Sequence, residues 1–387
     1  MLLALTIFGW ATAILWLLAA LLNVYMMTQL PRLDQQRPPR PPTMPRLSVI
    51  IAACNEAETI EPAFESLLAE TYPQLEIIIV DDRSTDGTSE IVDRMAAEDP
   101  RIKAIHVKTL ADGWLGKLAA LDAGVKAATG EWLLFTDADV HFVPGALEQA
   151  IAYAEAERAD HICLFPRLHS ESFVVDLMVA AAVRVVGMSQ KPWRAKNPKA
   201  KETLGAGAFN LVRRSAYDRT PGFEWLKMEV ADDIGLAQML KAHGAIVRVV
   251  IGTSLVSVEW YRSVRDAFRG LEKNAFAQMA RYSLLRAIVF VALSIPVSLG
   301  PFLALFIPEL RPIAAIAYGA HVLSSVIVAR FLAARPLAMI LAVPFGDLLM
   351  TVLLLRAAVL GRRRGGLLWR GTLYPIAALK AGARVKF

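Results

Sequence analysis

Two cysteines in 387 residues, Cys54 and Cys163, are too few for a disulfide framework, and no Cys/His cluster has the spacing of a zinc site. Both lie in or beside apolar runs, which suits two buried thiols in a reducing compartment. Charge is missing from the start of the chain. No charged residue precedes Arg32, and the stretch Met1–Met27 is almost wholly apolar. A stretch of that length can cross a bilayer. It lacks the basic start and small-residue cleavage site of a signal peptide, so a retained anchor is expected. No internal repeat is present.

The residues that the chain does contain are unevenly placed. Hydrophobic residues make up 55% of it, and its net charge of +6 divides sharply. From Arg281 onward there are 13 Lys and Arg against 2 acids, and residues 1–46 carry 4 Arg against Asp34; with +11 and +3 at the two ends, residues 47–280 hold −8. Positive charge that flanks apolar segments meets anionic lipid headgroups, so phospholipid is expected as a partner and nucleic acid is not. Arg32, Arg37, Arg40 and Arg46 lie in a Pro-rich spacer and place the segment beginning at Leu47 on the cytoplasmic side. Towards the C-terminus, Ala287–Pro308 and Pro312–Ala329 are uncharged, and Leu337–Leu355 is apolar apart from Asp347. Three full spans would leave Arg362–Arg364 outside, against the positive-inside tendency. Either the third segment breaks around Pro344–Asp347 or the charge rule fails; a cytoplasmic tail is the preferred expectation. Asp347 in an apolar segment reads as a site residue or a buried partner.

Between these regions, buried-strand and helix signals alternate. Strands are expected at Leu47–Ala53, Glu76–Val80, Ile102–Val107 and Leu133–Phe135. Helices are expected at Ala57–Glu70, Thr88–Ala97, Lys117–Ala128 and from Pro144 to Glu157. Near-continuous apolar strands separated by such helices predict an α/β fold whose mostly parallel sheet is covered on both faces. From Asp160 to Thr203 the periodicity weakens and a loop is expected, with an acceptor-side loop and a plain surface loop equally supported.

The run Trp132–Phe135 ends in Asp137-Ala138-Asp139, two carboxylates on one face of an extended chain. Alone, this pattern is as readily a solvated turn. Other strand ends carry Asn55-Glu56 and Asp81-Asp82 through Thr88, and Asp232-Asp233 opens an amphipathic helix. Turn and cap chemistry accounts for each cluster singly. Together they focus acids on one sheet edge, where open α/β sheets bind ligands and where hard oxygen ligands suit Mg²⁺ or Mn²⁺ beside a diphosphate. Gly113-Trp114-Leu115-Gly116-Lys117 is not a Walker motif, but its lysine at a helix start opposes the helix dipole and so has no evident stabilising purpose. Trp114 is equally a pocket wall or a core tryptophan.

On these residues the stretch from Leu47 to about Gly270 resembles the family 2 glycosyltransferases, which have the GT-A fold. The resemblance rests on Asn55-Glu56, on Val80 to Thr88, on Asp137-Ala138-Asp139 and on Asp232-Asp233-Ile234-Gly235-Leu236 followed by Gly244. It implies that Asp82 contacts the uracil of a UDP-sugar. Asp139, with Asp137, would hold the divalent metal, Asp137 lying near ribose and sugar. Asp233 would be the general base beside Asp232, which departs from the family's glutamate by one methylene. Asn55, Glu56, Lys117, Gly205 and Gly207 complete the expected donor site. Residues 344–349 and 369–374 resemble C-terminal motifs of ceramide-glucosyltransferase-like members and their carotenoid- and hopanoid-associated relatives. The Gln/Arg-x-x-Arg-Trp of processive synthases is absent; Val258–Asn274 reads instead as an interface-lying amphipathic helix, with Trp260 and Arg262 entertained as site residues.

The expected organisation is an anchor (1–30), a Pro/Arg-rich linker (31–46), a cytoplasmic catalytic domain (47–255), an interfacial region (256–284), membrane helices (285–360) and a basic tail (361–387). The expected activity is inverting, metal-dependent transfer of a sugar from a nucleotide-sugar to a lipid at the cytoplasmic face of the inner membrane. The alternatives are a polysaccharide-forming or soluble-acceptor transferase and a non-catalytic membrane scaffold. The letters name neither sugar nor lipid, and they leave the oligomeric state open.

Overall fold

The computed structural model describes residues 2–332 and 335–386. In chain order the strands are β1 (Leu47–Ala53), β2 (Leu75–Asp82), β3 (Ile102–Val107), β4 (Trp132–Asp137), β5 (Val140–Phe142), β6 (His161–Phe165), β7 (Arg167–His169), β8 (Asn210–Arg213), β9 (Val247–Ile251), β10 (Val256–Glu259), β11 (Gly366–Trp369) and β12 (Thr372–Pro375). They fall into a fold of two compact units. One comprises Leu30–Arg167, Lys191–Glu259 and Leu368–Phe387; the other comprises Met1–Gln29, Leu168–Gln190 and Trp260–Leu367.

The first unit is built on a seven-stranded sheet of order β3-β2-β1-β4-β8-β6-β9. All its pairings are parallel except those of β8, which runs against β4 and β6. The expected mostly parallel α/β sheet is therefore present. Val49, Ile50, Ile77, Ile78, Ile79 and Val80 are fully buried, as the apolar runs of β1 and β2 require. The helix Gly116–Ala127 lies close against β1: a Cβ on Gly124 would stand 2.4 Å from Ile50 Cγ2. Register makes the strand ends level, with Ala53 opposite Asp81, Ala52 opposite Asp137 and Asp82 opposite Val107. The helices Ile60–Leu68 and Ala146–Ala156 are shorter than the sequence suggests, because Asn55–Thr59 and Val143–Gly145 are spent on turns.

The second unit is helical. Among the described residues five helices are long and apolar enough to cross a membrane: Leu3–Gln29, Phe173–Arg194, Leu284–Ala304, Arg311–Ala329 and Pro336–Arg364. The second of these corrects the expected loop, since Phe173–Gln190 is an 18-residue helix. The last is interrupted: Val343 has φ −106° and ψ 124°, and a new helix runs from Asp347 to Arg364. Of the two alternatives for this segment, a break around Pro344–Asp347 is the one present. Of the helical region expected over 256–284, β10 takes the start, and helical segments at Val264–Gly270, Glu272–Asn274 and Ala275–Met279 follow one another. Charges within this unit are paired. Arg184 pairs with Asp347, Arg335 Nε lies 3.1 Å from Asp176, and Glu272 accepts from Arg356 at 2.6 Å and Arg364 at 2.7 Å.

Candidate functional site

The acids at the carboxyl edge of the sheet form two groups. The first gathers round Lys117, which the helix start Gly116 projects over the end of β4. Lys117 Nζ lies 2.8 Å from Asp137 Oδ1 and 3.1 Å from Asp232 Oδ2. Burial alone would lower the Lys117 ammonium; Asp137 and Asp232 outweigh it and hold the group protonated. Asp233 stands on the same helix start as Asp232, where its Oδ1 accepts from the Ile234 amide at 2.7 Å and its Oδ2 from the Gly207 amide at 3.1 Å. Burial, with Asp232 adding to it, pushes the Asp233 carboxyl up to about 6.

The two glycines of this group serve close approach. A Cβ on Gly205 would stand 1.8 Å from the Asp233 carbonyl oxygen, and one on Gly207 would stand 2.5 Å from Asp137 Oδ2. The Thr136 hydroxyl donates to the Ala208 carbonyl at 2.7 Å, holding this segment against the end of β4.

The second group lies at the ends of β1 and β2. Asn55 and Arg83, both left-handed at φ 55° and 57°, turn the chain away from the sheet. The Asn55 Oδ1 accepts from the Thr85 amide at 2.8 Å, and the Glu56 amide donates to Thr88 Oγ1 at 2.9 Å. Asp86 accepts from both the amide and hydroxyl of Thr88, so part of this motif is turn chemistry. Asp82 is 3% exposed and holds the fork of Arg83 at 2.7 and 3.0 Å. Gly116 is glycine for its sake: a Cβ there would stand 2.0 Å from Asp82 Oδ2.

Asp139 joins the groups electrostatically. Burial first, then the charges of Asp137 and Glu56, push it up to about 7. Among the described residues no set of three or more His, Cys, Asp or Glu is arranged to hold a metal ion. Yet Mg²⁺-type ions use one or two carboxylates and take their remaining ligands from phosphate and water. A carboxylate whose charge is penalised by two like neighbours is what a cation would relieve, so Asp139 and Asp137 fit a metal that the donor completes.

The structure thus brings Lys117, Asp137, Asp232, Asp233, Gly205 and Gly207 together, and sets Asn55, Glu56 and Asp82 on the neighbouring strand ends. Sequence reasoning aimed Lys117 at phosphate and did not foresee its pairing with two carboxylates. It also gave no part in the site to Arg83, or to Arg370 and Tyr374 of the 369–374 motif. Arg370 ion-pairs with Glu56, and the Gly116 amide donates to the Tyr374 hydroxyl at 3.2 Å. Trp114 is half-buried. Trp260, stacked on Tyr261 at 5.4 Å, and Arg262 belong to the helical unit.

Residues 48–220 match the family model for glycosyl transferase family 2. Over this segment, a little under half of the chain, the sequence is similar to that family. The chain is 37% identical over 181 residues to the putative glycosyltransferase EpsE of Bacillus subtilis, covering 46% of this chain and 60% of that protein. It is 36% identical over 115 residues to an Escherichia coli protein named UDP-Glc:alpha-D-GlcNAc-diphosphoundecaprenol beta-1,3-glucosyltransferase WfaP, covering 30% of this chain and 43% of that one. The aligned stretch spans about a third of the length of several other curated relatives, among them the Rhizobium meliloti succinoglycan biosynthesis protein ExoO, of which it covers 33%. The fold of the chain is similar to that of mannosyltransferase PcManGT from Pyrobaculum calidifontis, solved with GDP-Man and Mn²⁺. The TM-score is 0.55 at 21% identity, over 93% of this chain and 99% of that one.

Proposed function

We propose that this chain transfers a sugar, with inversion, from a nucleotide-sugar to a lipid hydroxyl at the cytoplasmic face of the inner membrane, and that the donor is a UDP-sugar. The observation that carries the reading is the arrangement at the sheet edge. Asp137 stands beside Lys117 and its charge reaches Asp139, while Asp233 opens its own helix with both oxygens fixed by backbone amides. The relative that acts on a diphosphoundecaprenol-linked sugar and the five apolar helices support a lipid acceptor and a membrane location.

In this reading Asp82, Asn55 and Glu56 bind the nucleoside side of the donor, and Gly205 and Gly207 let the backbone pass the sugar. Asp139 and Asp137 would hold Mg²⁺ or Mn²⁺, whose positive charge would stabilise the departing diphosphate. The acceptor hydroxyl oxygen bonds to the anomeric carbon as the bond from that carbon to the diphosphate oxygen breaks. The nucleoside diphosphate leaves with the electron pair, and the hydroxyl proton passes to Asp233. A base held near 6 by burial is ionised at neutral pH yet binds a proton more firmly than an exposed aspartate. Asp232 orients Lys117 and keeps charge balanced beside the base.

The test is purified full-length protein in detergent, offered several UDP-sugars and GDP-mannose with a bacterial lipid extract and Mn²⁺ or Mg²⁺, with mass detection of products. A new glycolipid that disappears with chelator and with Asp139→Asn is the expected result. Transfer only to water-soluble acceptors, or a long polymer as product, would overturn the lipid acceptor; undiminished transfer by Asp139→Asn would overturn the metal assignment.

A further inference from the structure

The C-terminal stretch 368–386 belongs to the sheet-built unit, although it comes after the last apolar helix in sequence. It is fastened to that unit at several points. Glu229 accepts from the amides of Arg384 at 2.6 Å and Val385 at 2.9 Å, and the Gln238 amide group exchanges two 3.1 Å hydrogen bonds with the Lys386 main chain. Ahead of it, β11 and β12 form a hairpin whose two-residue turn is Arg370-Gly371, at φ 46° and 78°. Positive φ at both central positions is the type I′ turn, which favours Asn or Gly first. Arginine there is not asked for by turn chemistry, and left-handed non-glycine residues gather at functional sites. Of the seven such residues in the described chain, Asn55, Arg83 and Arg370 meet here.

The contacts of this turn all lead to the transferase site. Arg370 pairs with Glu56, and its Nη1 lies 3.5 Å from the Asn55 carbonyl. Thr372 Oγ1 accepts from Arg83 Nη1 at 3.4 Å while Arg83 grips Asp82, and Tyr374 accepts from the amide next to Lys117. Lys117 is engaged by two carboxylates, which leaves Arg370 as the more exchangeable cation: its side chain is 47% exposed, and an ion pair open to solvent contributes little. Glu56 would keep the Thr59 hydroxyl at 2.9 Å after losing it. A planar guanidinium binds phosphate oxygens in a fork, with charge-assisted bonds stronger than an exposed ion pair.

We propose that the Arg370 turn completes the donor site, with Glu56 holding Arg370 until the diphosphate of a nucleoside-diphosphate donor takes its place. This rests on the transferase reading above and adds to it a substrate-contacting residue from the far end of the chain. The test is calorimetry on the full chain in detergent with UDP, GDP, uridine and guanosine as probes. Arg370→Gly removes the side chain and suits the left-handed backbone, so the hairpin is retained; unchanged melting verifies this. For the diphosphate that the wild type binds, affinity should fall roughly 10- to 100-fold in Arg370→Gly, while the matching nucleoside binds as before. Arg370→Lys should recover part of the loss. Unchanged diphosphate binding in Arg370→Gly overturns the proposal, as does an equal loss for nucleoside and diphosphate, which would mark a purely structural turn. A wild type that binds neither UDP nor GDP overturns the transferase reading itself, and is seen before any variant is made.

Discussion

The two units treat charge in opposite ways. In the sheet-built unit, Asp82, Asp137, Asp139, Asp232 and Asp233 crowd one edge, and Lys117 must be shared between two of them. In the helical unit the buried charges are matched to their own partners: Arg184 with Asp347, and Glu272 with two arginines. The difference lies in what each surrounding can tolerate. An apolar setting makes an unpaired charge expensive, so its charges are settled in pairs. An edge that receives a charged ligand can keep acids short of counterions, because the ligand's own cation and donors complete them.

The largest effect that would break this contrast lies at the base. Asp233→Asn should cut turnover roughly 10²–10⁴-fold while donor binding stays near normal, since the amide keeps the shape but accepts no proton. Turnover at saturating substrates, paired with calorimetric donor binding, checks it. Normal turnover would remove Asp233 from the base role.

Next comes the paired region. Asp347→Ala should destabilise the helical unit by roughly 3–5 kcal/mol, because Arg184 is left buried and alone. Denaturant unfolding in detergent measures this, and the protein that remains folded should bind donor as before. A neutral change would show that the pair is solvated and the contrast overstated.

A smaller effect tests a buried group that the site does not use. His161, on β6, donates its Nε2–H to Asn210 Oδ1 at 3.0 Å, and burial pushes it down to about 4. Folding favours its neutral form, so its contribution is complete above the ordinary value near 6.5 and fades as pH falls towards 4. Over that window the loss amounts to about 3 kcal/mol. Melting from pH 7 to pH 4 should therefore fall more gently in His161→Phe than in the wild type; parallel acid limbs would exclude His161 as the cause.

The smallest effect is the control. Arg94 and Glu61 form an ion pair about half exposed on both sides. Arg94→Ala should change stability by less than about 1 kcal/mol and leave transfer unaffected. A larger change in melting would mean that exposed pairs in this unit count for more than the contrast allows.

Much of the sheet was legible because β1, β2 and β4 are buried on both faces and must read as apolar runs ending in polar residues. The helix Phe173–Gln190 was not legible as one. Val175, Leu177, Met178, Val179, Ala180, Ala181 and Ala182 are all buried, so no single stripe marks a helical period. The helical region expected at 256–284 begins later than its sequence suggests, because alternating apolar residues at Val256 and Val258 suit a strand; the chain is helical from Val264 to Met279.

By itself the sequence determined the alternation of strands and helices, the acids at their ends, and the apolar segments; it left the break near Pro344 as one of two alternatives. Each is a local matter of period, of side-chain cost in an apolar setting, or of backbone freedom. Only the tertiary structure decided which of the polar residues meet. Lys117 finds Asp232 across 115 positions of chain, and Arg370 finds Glu56 across 314. Such pairings depend on register, on where glycine lets backbones approach, and on where the C-terminal stretch is fastened. None of these is written in the neighbourhood of the residues themselves.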